Sequence, residues 1–243
     1  MEYGCMATRR FHVTDVTPGR IRIQGDQAAH GLKALRLGIG DEVVVFDGSG
    51  TEATGRIAEI DREAFEIEVT RRTDPSKQQR PCLTIATAIP KGERADWMIE
   101  KCAELGVRRL IPLACERSQV HPGAAKLERW RRKAVEAAKQ SRQSTVMEIG
   151  QECPIEEFAA QMSSSSLLLF GDGGAVQSMN EVLLNRAAED DCITCIGPEG
   201  GFDDDERELL RSQGCIPVRL GGTVLRVETA VVAAAAIWAS WAR

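Results

Sequence analysis

The sequence predicts a two-part α/β protein: a small β-barrel over residues 1–73, then a mostly parallel-sheet domain over residues 81–243. Two observations carry this. Branched and aromatic runs broken by turn signals fill the first part, and apolar strand runs alternate with amphipathic helices in the second. Between them, Arg71 to Pro81 is polar, holds two prolines and lacks periodicity, so it reads as a linker.

In the first part, Arg20–Ile23, Glu42–Phe46 and Phe65–Val69 read as strands. Pro18-Gly19, Gly40-Asp41 and Asp47-Gly48-Ser49-Gly50 supply the turns between them. One helical insert, Ala28–Leu37, completes a pattern that suits a small barrel. In the second part, strand Leu83–Ala88 leads to an amphipathic helix, Arg94–Leu105, stopped by Gly106. Strand Leu110–Leu113 and the long helix Lys126–Arg142 follow. Leu167–Phe170 is four apolar residues in a row, the mark of a strand buried on both faces. Helix Asn180–Ala188 and strand Cys192–Ile196 come next. Asp203 with Glu206 has capping-box spacing before a helix ending near Gly214. Strand Pro217–Leu220 and an alanine-rich helix, Glu228–Trp241, close the chain. Such alternation builds an α/β sheet.

Composition narrows the class further. With 43% hydrophobic and 28% charged residues, the 243-residue chain is neither disordered nor fibrous. No run approaches the roughly 18 apolar residues of a membrane span. Met1–Arg10 has no apolar export core, so the expected compartment is the cytoplasm. Eight scattered cysteines then read as reduced thiols. Cys192 and Cys195 alone share a CxxC spacing, but three residues apart on a strand they face opposite sides. Core packing is the expectation there, and no metal site is expected.

The net charge of −5 is unevenly spread. Residues 81–142 hold 13 basic and 7 acidic residues, while residues 143–243 hold 6 basic and 16 acidic. A polyanion partner is therefore compatible with an acidic chain, because binding follows the local field of a patch.

Three segments carry chemistry. Ile196-Gly197-Pro198-Glu199-Gly200-Gly201-Phe202 follows a buried strand and precedes a capped helix, where open α/β sheets bind ligands. It lacks a phosphate-cradle motif, and Glu199 with the Asp203–Glu206 acidic run would repel phosphate, so a neutral or cationic ligand fits better. The second is Leu220-Gly221-Gly222-Thr223-Val224-Leu225-Arg226-Val227-Glu228-Thr229-Ala230, whose apolar residues could wall a flat ring. Its Arg226 and Glu228 suit either a reaction or a structural salt bridge. The third is basic: Lys91-Gly92-Glu93-Arg94, then Glu116-Arg117-Ser118, Arg129-Trp130-Arg131-Arg132-Lys133 and Gln140-Ser141-Arg142. Trp130 could stack on a base, but core anchoring of its helix is the more economical reading.

Together, KGERADWMIEKCAELGV, ERSQV, EAAKQSRQ, IGPEGGF and LGGTVLRVETA resemble the RsmE family of ribosomal RNA methyltransferases, in the family's order. RRFHV and HGLKALRLGIGDEVVVFDGSG extend the resemblance, from about Arg9 to Ala230. It implies an N-terminal PUA-like barrel and a C-terminal SPOUT domain with a trefoil knot. It also implies a homodimer that methylates N3 of uracil 1498 in 16S ribosomal RNA of the small subunit, using S-adenosylmethionine. Carried over, the cofactor residues are Leu169, Phe170, Gly171, Gly197, Glu199, Gly200, Gly201, Leu220, Gly221 and Leu225. Thr223 and Val227 stand where the family commonly has Arg and Thr, and Met147 where it usually has proline. Met1–Cys5 precede a possible start at Met6.

Uridine N3 carries a proton at neutral pH, so catalysis must accept it or stabilise the imide anion. The expectation is that Arg226 stabilises the charge and Glu228 orients it or takes the proton. Expected RNA contacts are Arg10, His30 and Arg36 on the barrel, and Lys91, Arg94, Arg117, Arg129 and Arg142 on the catalytic domain. Two alternatives stay open: a knotted methyltransferase acting on a ribose 2′-hydroxyl, and a non-catalytic RNA-binding ribosome-assembly factor.

Overall fold

The computed structural model describes residues 9–74, 81–162, 165–186 and 191–242, which fall into two compact units. Residues 9–74 with 138–146 make the first, and residues 81–137 with 147–242 the second.

In chain order the first unit holds β1 (Arg10–His12), β2 (Arg20–Gln24), α1 (Gly25–Ala29), β3 (Glu42–Phe46), β4 (Glu52–Ile60) and β5 (Ala64–Thr73). Helix α1 runs straight into a π-helical turn, His30–Ala34, so the helical insert starts three residues before Ala28. The strands form one sheet in the order β1-β3-β4-β5-β2, with β1 parallel to β3 and the other pairs antiparallel. Period-two burial sorts the strands: in β2, Ile21 and Ile23 enter the core while Arg20 and Arg22 face water. Strand β4 escaped sequence reading because small Ala53 and Gly55 hold two of its inward positions. The Gln27 side chain covers the edge of β1, accepting from His12 N–H at 3.0 Å and donating to the His12 carbonyl at 2.7 Å. Part of the expected linker, Arg71–Thr73, belongs to β5, and residues 75–80 lie outside the described residues.

Residues 143–146 are sewn onto this sheet from far along the chain. Gly50 N–H donates to the Ser144 carbonyl at 3.1 Å and Val146 N–H to the Gly48 carbonyl at 3.0 Å. Arg10 completes the seam, donating to Glu52 at 3.0 Å, to the Gln143 carbonyl at 3.2 Å and to Ser144 at 3.1 Å. Its side chain is only 9% exposed. This removes Arg10 from the expected RNA contacts, because its buried guanidinium is paired with the half-buried Glu52 carboxylate. Burial pushes the Glu52 carboxyl up, but hydrogen bonds from Ser144 and Arg10 outweigh it and hold the group below its ordinary value.

The second unit begins with β6 (Leu83–Thr87), α2 (Glu93–Glu104), β7 (Arg109–Ala114) and α3 (Ala124–Gln140), the last three residues of α3 packing with the first unit. Then come β8 (Glu148–Ile149), β9 (Cys153–Pro154), α4 (Ile155–Ala160) and β10 (Leu167–Gly171). The remainder is α5 (Met179–Leu184), β11 (Cys192–Ile196), α6 (Asp204–Ser212), β12 (Ile216–Val218) and α7 (Val227–Trp241). The expected helix end at Ala188 lies outside the described residues.

The sheet is parallel, in the order β12-β10-β11-β6-β7-β8, with β9 pairing β7. Leu168, Phe170 and Cys195 pack with Phe158 of α4 and Leu210 of α6. Helix α7 packs against β6, β11, α2 and α5. Helices thus cover both faces, which is why the strands read as unbroken apolar runs. Cys192 and Cys195 are fully buried, and desolvation pushes the Cys192 thiol up to about 12. Trp130 is fully buried as an anchor, its indole N–H donating to Asp96 of α2 at 2.7 Å.

Candidate active site

Three loops leave the carboxyl ends of β10, β11 and β12 on the same side of the sheet, because parallel strands all point one way. They enclose about 730 Å³ of space, part of it open to solvent. Gly171, Gly197, Glu199, Gly201, Leu220, Gly221 and Leu225 line it, and among the described residues no Lys or Arg does.

The Gly197–Gly201 loop is shaped by close approach. A Cβ at Gly197 would stand 3.0 Å from the Phe202 backbone nitrogen and 3.2 Å from its ring. Gly201 takes φ +70°, and its N–H donates to the Pro198 carbonyl at 2.8 Å, closing a tight turn. Asp203 and Glu206 form the expected capping box at the start of α6. Glu206 does more than sequence spacing shows. It is 5% exposed, and one carboxylate oxygen accepts from Glu116 N–H at 2.8 Å while the other accepts from Asp203 N–H at 2.8 Å. One side chain therefore ties the loop after β7 to the loop after β11. Arg117 adds a second tie, donating to the Gly200 carbonyl at 2.7 Å.

The third loop carries Arg226 and Glu228 into α7. Arg226 is the N-cap residue and exposed. Glu228, in the first turn, is 7% exposed, and helix N-termini favour such an anion. Its Oε1 lies 3.6 Å from the Arg94 guanidinium, and its Oε2 is buried without a hydrogen-bond partner among the described residues. Arg226, Glu228 and Thr229 line a second depression together with Glu93, Arg94 and Trp97 of α2. Leu225, Val227 and Ala230 line the glycine-walled cleft instead. One short segment is thus a wall of both.

Seven of the ten residues expected to hold the cofactor line the cleft. Leu169 and Phe170 are fully buried within β10 and are not part of the lining. Gly200 is outside the lining and holds Arg117. Thr223 lies within the expected Leu220–Leu225 loop, whereas Asp172, one step beyond β10, and Val218, the last residue of β12, were not expected. Among the expected RNA contacts, His30, Arg36, Lys91 and Arg142 are exposed, and Arg36 and Arg142 hold positive φ of 52° and 59°. Arg94 faces Glu228, and Arg129 bonds Asp96 at 2.7 Å while staying exposed.

A parallel α/β unit with a cation-free cleft at its strand ends, joined in sequence to a small β unit, defines a ligand-binding enzyme of modular build. Residues 77–239 match the RNA methyltransferase domain and residues 23–70 the RNA methyltransferase PUA domain. The chain belongs to the RNA methyltransferase family defined by that domain, with a PUA-like β unit at its N-terminal side. It is 30% identical over 210 residues to the ribosomal RNA small subunit methyltransferase E of Synechocystis sp., covering 84% of this chain and 67% of that protein. The Bacillus subtilis protein of the same name is 26% identical, covering 86% and 85%. A Neisseria gonorrhoeae ribosomal RNA small subunit methyltransferase E, crystallised bound to S-adenosyl methionine, superposes with TM-score 0.83 at 26% identity, covering 94% and 95%.

Proposed function

We propose that this protein methylates N3 of a uridine in 16S ribosomal RNA of the small subunit, with S-adenosylmethionine as methyl donor. The observation that carries it is the cation-free, glycine-walled cleft sharing a wall with Arg226 and Glu228, in a chain of this family. The cleft fits that donor. A Cβ at Gly171 would come within 3.0 Å of Ile196, so that wall is tight enough to favour backbone contact. Glu199 and Asp172 suit a cationic ligand and oppose a phosphate. Gly171, Gly197, Glu199, Gly201, Leu220, Gly221 and Leu225 would hold it. When bound, S-adenosylmethionine supplies an electrophilic methyl on a sulfonium. The protein's own task is then proton and charge control: Glu228 accepts the N3 proton, and Arg226 stabilises the charge left on the uracil carbonyls.

The finer architecture belongs to the same reading. Helix α7 returns to β6 and β11 in the sheet interior after β12 at its edge, which supports a SPOUT-type trefoil knot. A homodimer working in the cytoplasm completes the proposal; among the described residues no helix is long and apolar enough to cross a membrane. RNA contacts are assigned to His30, Arg36 and Arg142 on the first unit and to Lys91 and Arg129 on the second. Incubating small subunits that lack the modification with labelled donor, then mapping the labelled nucleoside, tests the proposal. Label in 3-methyluridine is expected. Label on a ribose oxygen, or donor binding without transfer, would replace it with one of the two alternatives.

A further inference from the structure

The three loops around the glycine-walled cleft are held very differently. The loop after β10 is fastened through its backbone: Asp172 N–H donates to the Val218 carbonyl at 3.0 Å, and Gly174 N–H to the Asp172 carboxylate at 2.9 Å. The loop after β11 is fastened by the Gly201–Pro198 bond, by Arg117 and by Glu206. The loop after β12 is tied only at its ends. Arg219 anchors one of them, its N–H donating to the Gln177 carbonyl at 2.9 Å and its guanidinium to the Val176 carbonyl at 3.0 Å. Buried Val227, at the start of α7, anchors the other. Between them, among the described residues, no backbone N–H from Gly221 to Arg226 donates to a protein group. A Cβ at Gly222 would meet nothing within 4 Å, so the segment crosses open space. Val224 lines the cleft and yet is 98% exposed, a bare apolar side chain at the rim.

Resting on the proposed methyl donor, we infer that residues 221–226 form a closing strap. The segment folds onto bound S-adenosylmethionine, with Val224 covering the flat face of its ring. A stretch unbonded along its length has few contacts to fix it in the protein alone. Its N–H groups are bonded to water, and the edge of a purine offers ring-nitrogen acceptors in exchange. Val224 gains from burial only when something apolar lies beneath it. The two fastened loops make a fixed floor, against which one moving wall is enough to enclose a ligand. The strap then governs release as well as capture, because the demethylated product leaves only when it lifts.

Hydrogen exchange read by mass spectrometry on the whole chain, with and without S-adenosylmethionine, tests closure directly. Amides of residues 221–226 are expected to exchange freely in the protein alone and about tenfold or more slowly with donor. Those of Gly201 and Asp203, already bonded, should change less. Strap amides that are slow in the protein alone, or unaltered while calorimetry shows donor bound, would overturn the inference. Calorimetry on Val224→Ala gives a second readout, since a side chain this exposed holds nothing in the fold. Affinity for donor and for demethylated product should fall about tenfold, the scale for two methyl groups denied burial, and Val224→Ile should keep wild-type affinity. Unchanged affinity in Val224→Ala sinks the strap and leaves the proposed function standing. Wild type that binds no S-adenosylmethionine sinks both.

Discussion

Two hollows share the segment Leu225–Ala230 and differ in almost everything else. The cleft over β10, β11 and β12 is walled by glycines, apolar side chains, Asp172 and Glu199, with no Lys or Arg among the described residues. The depression between α2 and α7 has two arginines, a half-exposed tryptophan and a buried carboxylate. The first is shaped largely by backbone, the second by side chains. Substitutions should therefore separate donor binding from base handling, depending on which side of that segment they touch.

The largest separation is expected at Gly197→Ala, because its Cβ would press on the Phe202 backbone. Overpacking of this kind costs about 1–3 kcal/mol, read here as a roughly ten- to hundredfold weaker donor affinity by calorimetry. Glu206→Ala should come next. It leaves two backbone N–H groups without their carboxylate, an expected loss of about 1–3 kcal/mol in unfolding free energy by denaturant titration. Arg117→Ala removes one exposed bond to Gly200, so donor affinity should fall only about two- to fivefold. The smallest effect belongs to the thiols. Burial pushes Cys115 and Cys192 up to about 12, so iodoacetamide at pH 8 should label neither in the folded protein and both after unfolding.

Much of the backbone-shaped cleft was legible in the sequence, since glycines placed directly after apolar runs mark strand exits. The capping box of Asp203 and Glu206 was legible for the same reason: its geometry is local. The side-chain-shaped hollow was not. Nothing in sequence spacing shows that Glu206 also bonds Glu116, 90 residues away, or that Arg94 faces Glu228 across two helices. Charge alone likewise misassigned Arg10, because sequence records a guanidinium but not the Glu52 and Ser144 that bury it. Leu169 and Phe170 show the complementary case: the strand reaches the cleft, but only through Gly171 at its end, while these two are buried within it.

The division of labour across Leu225–Ala230 is tested most directly by Arg226→Ala, with donor affinity and turnover measured on the same preparation. Donor affinity is expected within about twofold of wild type and turnover lower by about a hundredfold, the scale for removing one charge-stabilising donor. Near-wild-type turnover with unchanged donor binding, or affinity falling in step with turnover, would contradict it.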